Sequence, residues 1–118
     1  MRRILKGLNE IAGIRGSMII SDDGMVISSC LGRSLDEEMV AAMAGSVINS
    51  TRKALERHGL RSFTQFTLKA SHGKMIFIDS GVAYLVVVMD EKIVLGPGEI
   101  EVASAARRIR DMGEMRIG

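Results

Sequence analysis

Tryptophan is absent from the 118 residues, and only one tyrosine, three phenylalanines and one cysteine are present. So few rings make an aliphatic core the expectation, with nine methionines filling gaps that rigid rings would otherwise occupy. Few rings also leave little on which nucleic-acid bases can stack. The lone thiol, Cys30, excludes an intramolecular disulfide framework and fits a reducing compartment, so a cytoplasmic location is expected. A signal segment and a membrane span are lacking too. MRRILKGLNEIAG is interrupted by Lys6, Asn9 and Glu10, and the most apolar stretch, Val82 to Met89, is far too short to cross a bilayer. A soluble protein with no transmembrane segment follows. Charge of one sign is missing as well: 16 basic and 14 acidic side chains leave a formal +2, so no nucleic-acid partner is expected.

What is present is apolar material for one core, 47% of the chain, so residues 1–118 are expected to form a single domain. Ile4, Leu5, Leu8, Ile11 and Ala12 recur at helical spacing, and Gly13 and Gly16 are expected to end that helix. Ser17 to Asp22 and Met25 to Cys30 are β-prone runs joined at Asp23-Gly24, a pair suited to a hairpin turn. Ser34-Leu35-Asp36-Glu37 has capping-box spacing, which predicts a helix from there to Arg57 or His58, with Gly59 as its C-terminal cap. Three strands follow, Ser62 to Lys69, Lys74 to Asp79 and Val82 to Met89, joined by short turns that imply an antiparallel meander. Tyr84 to Met89 is apolar without alternation and is predicted central, whereas Thr64, Phe66 and Leu68 alternate with polar residues, as on an edge strand. After Leu95-Gly96-Pro97-Gly98 a last helix is predicted. Ile100, Ala103, Ala106 or Arg107, and Ile109 should form its inner side, with Glu99 and Glu101 near its start, Arg107, Arg108 and Arg110 near its end, and Gly113 as its stop. The fold class is α/β, an α+β sandwich in the order α-β-β-α-β-β-β-α, with a five-stranded antiparallel sheet flanked by helices.

This order resembles the Roadblock / dynein light chain family. The residues that carry the likeness are the SMIISDDG hairpin, the long helix from Leu35, the meander ending in VAYLVVVMD, and LGPGEIEVASAARRI. They cover nearly the whole chain, and they are patterns of small and apolar residues with no catalytic signature. The resemblance implies a profilin-like arrangement and a dimer in which the middle helices pack together and the sheets join at an edge. It also implies a regulatory or scaffold module that binds a Ras-like small GTPase and modulates its nucleotide state or location. The middle helix agrees with a dimer, because Met39, Val40, Met43 and Val47 are interspersed with small Ala41, Ala42, Ala44, Gly45 and Ser46. The candidate dimer interface is therefore Met39, Val40, Met43, Ala44 and Val47, with Thr64 and Phe66 on the edge strand. The alternative is that Gly45 and the alanines fit only against the chain's own sheet or terminal helices.

Residues with chemistry are sparse. Asp22 and Asp23 suit a turn, and Asp36, Glu37 and Glu38 suit a helix start, without any metal or catalysis. Cys30 could be a nucleophile with His58 or His72 as base, but no local motif joins them. Neither histidine has metal-ligand spacing. No GxxxxGK[ST] or GxGxxG sequence precedes a helix, so no nucleotide or other cofactor is expected, and no enzyme activity of the chain's own. Arg107, Arg108, Arg110 and Arg116 read as a solvated helix face. Two other functions remain open: an assembly adaptor indifferent to nucleotide state, and a profilin-like small-molecule sensor with a pocket between helices and sheet.

Overall fold

A strand that is apolar on both faces belongs in the middle of a covered sheet. The run Tyr84–Met89 takes that place in the structure, a computed structural model that describes residues 1–33, 35–90 and 97–117, with the side chains of the last helix described over 100–112. The elements are α1 (Arg2–Asn9), β1 (Ile14–Ile20), β2 (Val26–Leu31), α2 (Glu37–Arg57), β3 (Gln65–Ala70), β4 (Gly73–Asp79), β5 (Tyr84–Met89) and α3 (Pro97–Ile117). One five-stranded sheet has the order β2-β1-β5-β4-β3, and every neighbouring pair is antiparallel. The expected α-β-β-α-β-β-β-α sandwich is the fold observed.

The pleat sends alternate side chains to two separate cores. Ile19, Ile76, Ile78, Leu85, Val87 and Met89 face α1 and α3, where they meet Ile4, Leu5, Leu8, Val102, Ala105, Ala106 and Ile109. Met18, Ile20, Met75, Phe77, Tyr84 and Val86 face the other way, toward Val40, Ala44 and Ile48 of α2. The first core is aliphatic as expected. All four rings of the chain collect in the second, where Phe66 stacks on Phe77 at 4.5 Å and Phe63 on Tyr84 at 5.4 Å. A half-buried polar latch holds α1 down: Ser17 Oγ donates to Asn9 Oδ1 at 3.0 Å, and Asn9 Nδ2 donates to the Cys30 carbonyl.

Several boundaries differ from the sequence reading, each for a physical reason. Gly13, at φ +93°, follows α1 as expected, but Gly16 lies inside β1, where a Cβ would come within 3.0 Å of the Leu31 Cα, so only glycine permits that strand approach. The N-cap of α2 is Asp36, whose Oδ1 accepts from the amides of Glu38 at 2.9 Å and Met39 at 3.3 Å. Glu37 accepts instead from the Ser29 hydroxyl, tying the helix start to β2. The expected cap, Ser34, lies outside the described residues. The C-terminal stop is as read: Gly59 at φ +72° donates to the Glu56 carbonyl and Leu60 to Leu55, a Schellman closure. The strands β3 and β5 begin later than their β-prone runs, at Gln65 and Tyr84.

The helix α3 presents a different face from the one expected. Val102, Ala105, Ala106 and Ile109 point inward at spacings of three, four and seven, while Ile100 is 68% exposed. It also continues past Gly113 to Ile117. Leu95 and Gly96, and the side chains of Glu99 and Arg116, lie outside the described residues.

Candidate interaction surface

α2 is a long helix with a light internal load. Over 21 residues it fully buries only Val40, Ala44 and Ile48 against the sheet. Met39, one residue before Val40, turns outward and is 71% exposed; Met43, one turn on, is 46% exposed. Together with Leu35, Asp36 and Val40 they line an open groove of ≈ 320 Å3. Large apolar side chains left in water along one helix stripe mark a contact site more often than an accident of composition.

The predicted interface residues divide accordingly. Met39 and Met43 lie on the outer face. Val40 and Ala44 do not, since they are buried beneath α2 against Met18, Phe77 and Val86 and have almost no surface left to give a partner. Val47 is half-buried at the margin of the same core. Gly45, read as room for a second helix, sits instead under the β1–β2 hairpin, where a Cβ would lie 3.8 Å from the Gly24 Cα. The small residues of α2 thus fit it largely to its own sheet and hairpin, while Ala42 and Ser46 remain exposed.

On the sheet edge, Thr64 is exposed just before β3, and its carbonyl accepts from the Asp79 amide. Phe66 is half-buried, with its ring held between Phe77 and Phe63. Leu68, two residues on and therefore on the same face, is 42% exposed. Leu68 is not among the expected interface residues, although it alternates with Phe66 and shares its face. Among the described residues β3 pairs only with β4, so its other edge keeps backbone donors and acceptors that no described strand takes up.

The groups with chemistry are dispersed. Cys30 is half-buried on β2 near α1, whereas His72 is in the β3–β4 turn beside the opposite edge strand, and His58 is the exposed C-cap of α2. Among the described residues no three His, Cys, Asp or Glu side chains gather at metal-binding distance. Asp23 is held below the ordinary carboxylate range by the Ser21 hydroxyl, with help from the backbone N–H groups of Asp23 and Met25, which is hairpin-turn chemistry. Asp22 approaches Arg52 at 3.9 Å, an exposed pairing worth little. Burial pushes the Tyr84 phenol above its usual value; Arg52 opposes this and Asp22 and Asp79 add to it. A second open groove, ≈ 370 Å3, lies between Asp22, Asp23, Gly24 and the Ala41 to Asn49 stretch of α2. Arg110, read as part of a solvated basic face, is instead a structural residue. Its Nε donates to the Ser80 carbonyl at 3.1 Å and its side chain covers Gly81.

The sheet thus has one tightly covered face, a lightly loaded long helix on the other and, among the described residues, an open β3 edge. The family model described as Roadblock/LC7 domain matches residues 2–89. The chain belongs to the Roadblock/LC7 family. An uncharacterized protein of Methanocaldococcus jannaschii is 37% identical over 110 residues, covering 93% of this chain and 96% of its own length. Among solved structures, Myxococcus xanthus MglB superposes with a TM-score of 0.87 at 17% identity, over 97% of this chain and 87% of that one. A Roadblock/LC7 domain from Streptomyces avermitilis does so at 0.82 and 19%, over 95% and 96%. Profilin IB of Acanthamoeba castellanii follows at 0.67 and 18%, over 95% and 98%. At such identities these structures share the Roadblock/LC7 chain's fold, which is profilin-like as expected. No helix among its described residues is long and apolar enough to cross a membrane.

Proposed function

We propose that this Roadblock/LC7 chain forms a homodimer through the outer face of α2 and the free edge of β3, and that the dimer is a cytoplasmic regulatory or scaffold module for a Ras-like small GTPase. The observation that carries the reading is the exposed Met39–Met43 stripe beside an apolar groove, on a helix whose own core contacts are few. Charge supports an antiparallel helix pair: Glu37 and Glu38 stand at one end of α2, Arg52 and Lys53 toward the other, so opposed helices attract at both ends and parallel ones repel. Exposed Ala42 and Ser46, near the middle, let two backbones approach.

In this reading the chain supplies no nucleotide site and no catalytic group. Any effect on hydrolysis works by selecting a conformation of the partner's switch loops around the partner's own phosphate and magnesium. The decisive experiment measures binding of the purified chain to the small GTPases of its host in the GDP and GTP-analogue states, with its mass followed by light scattering. Preference for one state supports regulation. Equal binding to both states points to an adaptor, because a ligand with equal affinity for two states shifts neither. A monomer throughout the micromolar range overturns the dimer.

A further inference from the structure

The opposite side of the sheet has a surface that the GTPase reading leaves unused. α1 and α3 lie side by side there, and their apolar residues Ile4, Leu5, Leu8, Val102, Ala105, Ala106 and Ile109 are turned inward. What they turn outward is mainly cationic, with exposed Glu10 at the end of α1 and Glu101 and Asp111 on α3 as the carboxylates among their described residues. α1 exposes Arg2, Arg3 and Lys6 and contains no carboxylate, and α3 exposes Arg107 and Arg108. Among the described residues the ion pairs are Arg15 with Asp90 and Arg52 with Asp22, so none of these five cations is neutralised by one. An open groove of ≈ 460 Å3 joins the two helices, lined by Met1, Arg3, Ile4, Arg108, Asp111 and Met112. Cations thus stand on both of its walls beside Met1, Ile4 and Met112, with Asp111 as the one carboxylate among the described lining residues. The outer charges of α2 are balanced by comparison, with Glu37, Glu38 and Glu56 against Arg52, Lys53 and Arg57.

We propose that the α1/α3 face docks the protein on an anionic lipid surface, with Arg2, Arg3, Lys6, Arg107 and Arg108 set against phosphate headgroups. Three features favour a lipid surface over other polyanions. Every aromatic ring of the chain lies on the α2 side of the sheet, so this face has nothing on which nucleic-acid bases could stack. The cations are spread along two helices and do not converge on one carboxylate-sized pocket, which suits a broad, laterally mobile array of charge. Pairing through α2 and β3 would place both α1/α3 layers on the same side of the joined sheet and double the cationic area; this last feature alone rests on the dimer reading.

Each Lys or Arg brought to such a surface raises partitioning roughly fivefold, and the attraction weakens as salt shortens the screening length. The test is sedimentation of the full chain with vesicles of phosphatidylcholine alone and of phosphatidylcholine mixed with phosphatidylglycerol. Wild type is expected to bind only the mixed vesicles, less as salt is added. R3Q/R108Q should bind roughly twenty-five-fold more weakly and R3E/R108E weaker still. The R33E/R61E control, at exposed positions outside α2 and with the same change in charge as R3E/R108E, should bind like wild type. Thermal unfolding and light scattering check that each variant keeps its fold and mass. Absence of binding to the mixed vesicles, equal binding to both kinds, wild-type binding by R3E/R108E, or tighter binding to duplex DNA or polyglutamate at the same salt would each overturn the proposal. A monomeric wild type would defeat the pairing and leave the comparison with R3E/R108E still decisive for this face.

Discussion

The two helical layers solve the same packing problem with different economy. α1 has 8 residues and buries Ile4, Leu5 and Leu8, whereas α2 has 21 and buries Val40, Ala44 and Ile48, one of them an alanine. Burial of a large aliphatic side chain contributes about 1.5–3 kcal/mol and an alanine much less. Per residue, therefore, the short helix is fastened far more tightly than the long one. The long helix α2 is held partly by its ends: by Asp36 and the Ser29–Glu37 contact at its start and by the Gly59 closure at its stop. Its outer methionines are left for something else to cover.

The contrast can be broken most forcefully at Leu5. Leu5→Ala empties a fully buried site in the tight layer and should cost about 2–5 kcal/mol of unfolding free energy in urea titration. A loss below about 1 kcal/mol would mean, on the same scale, that the α1 layer is no firmer than α2. Met43→Glu should leave the unfolding of the isolated chain almost unchanged, because the side chain is exposed, yet weaken dimerisation by about thirty-fold or more in concentration-dependent light scattering. Unchanged dimerisation of the folded variant would move the seam off α2.

Asp36→Ala removes the acceptor for two amides at the α2 N-cap and should destabilise the chain by about 1 kcal/mol, read as a lower urea midpoint. The smallest effect belongs to Tyr84. Its folded-state pKa is raised above the usual value of 10.0, so its contribution is intact below that pH and is lost as pH rises toward the folded-state value. Tyr84→Phe should therefore flatten the alkaline fall in melting temperature above about pH 10. An identical alkaline fall in the variant would assign that loss to other groups.

Much of the fold was legible because its signals were local. The unalternating Tyr84 to Met89 run marked the central strand, the Asp23-Gly24 pair the hairpin, and Gly59 the end of α2. The misreadings concern groups whose role is set by a distant neighbour. Gly16 looked like a helix stop because its collision with Leu31 exists only once β1 and β2 pair. The inner face of α3 was displaced, since apolar Ile100 and Ile109 lie on the chain at a spacing that one helix face does not accommodate, and the sheet selects Val102 with Ile109. The candidate interface was half legible: a run such as Met39, Val40, Met43, Ala44 names an apolar helix, and only the roll of that helix on its sheet separates the exposed methionines from the buried Val40 and Ala44.

The sequence by itself determined the element order, the antiparallel meander, the central and edge strands and the absence of a disulfide framework, because each follows from residue spacing, turn chemistry or a count of side chains. The tertiary structure alone decided which side of α2 faces outward, that the four rings share one core, and that Arg3 and Arg108 flank one groove from helices at opposite ends of the chain. Periodicity defines a stripe along a helix, but the neighbour against which that stripe lies is fixed by packing, and packing is a property of the whole folded chain.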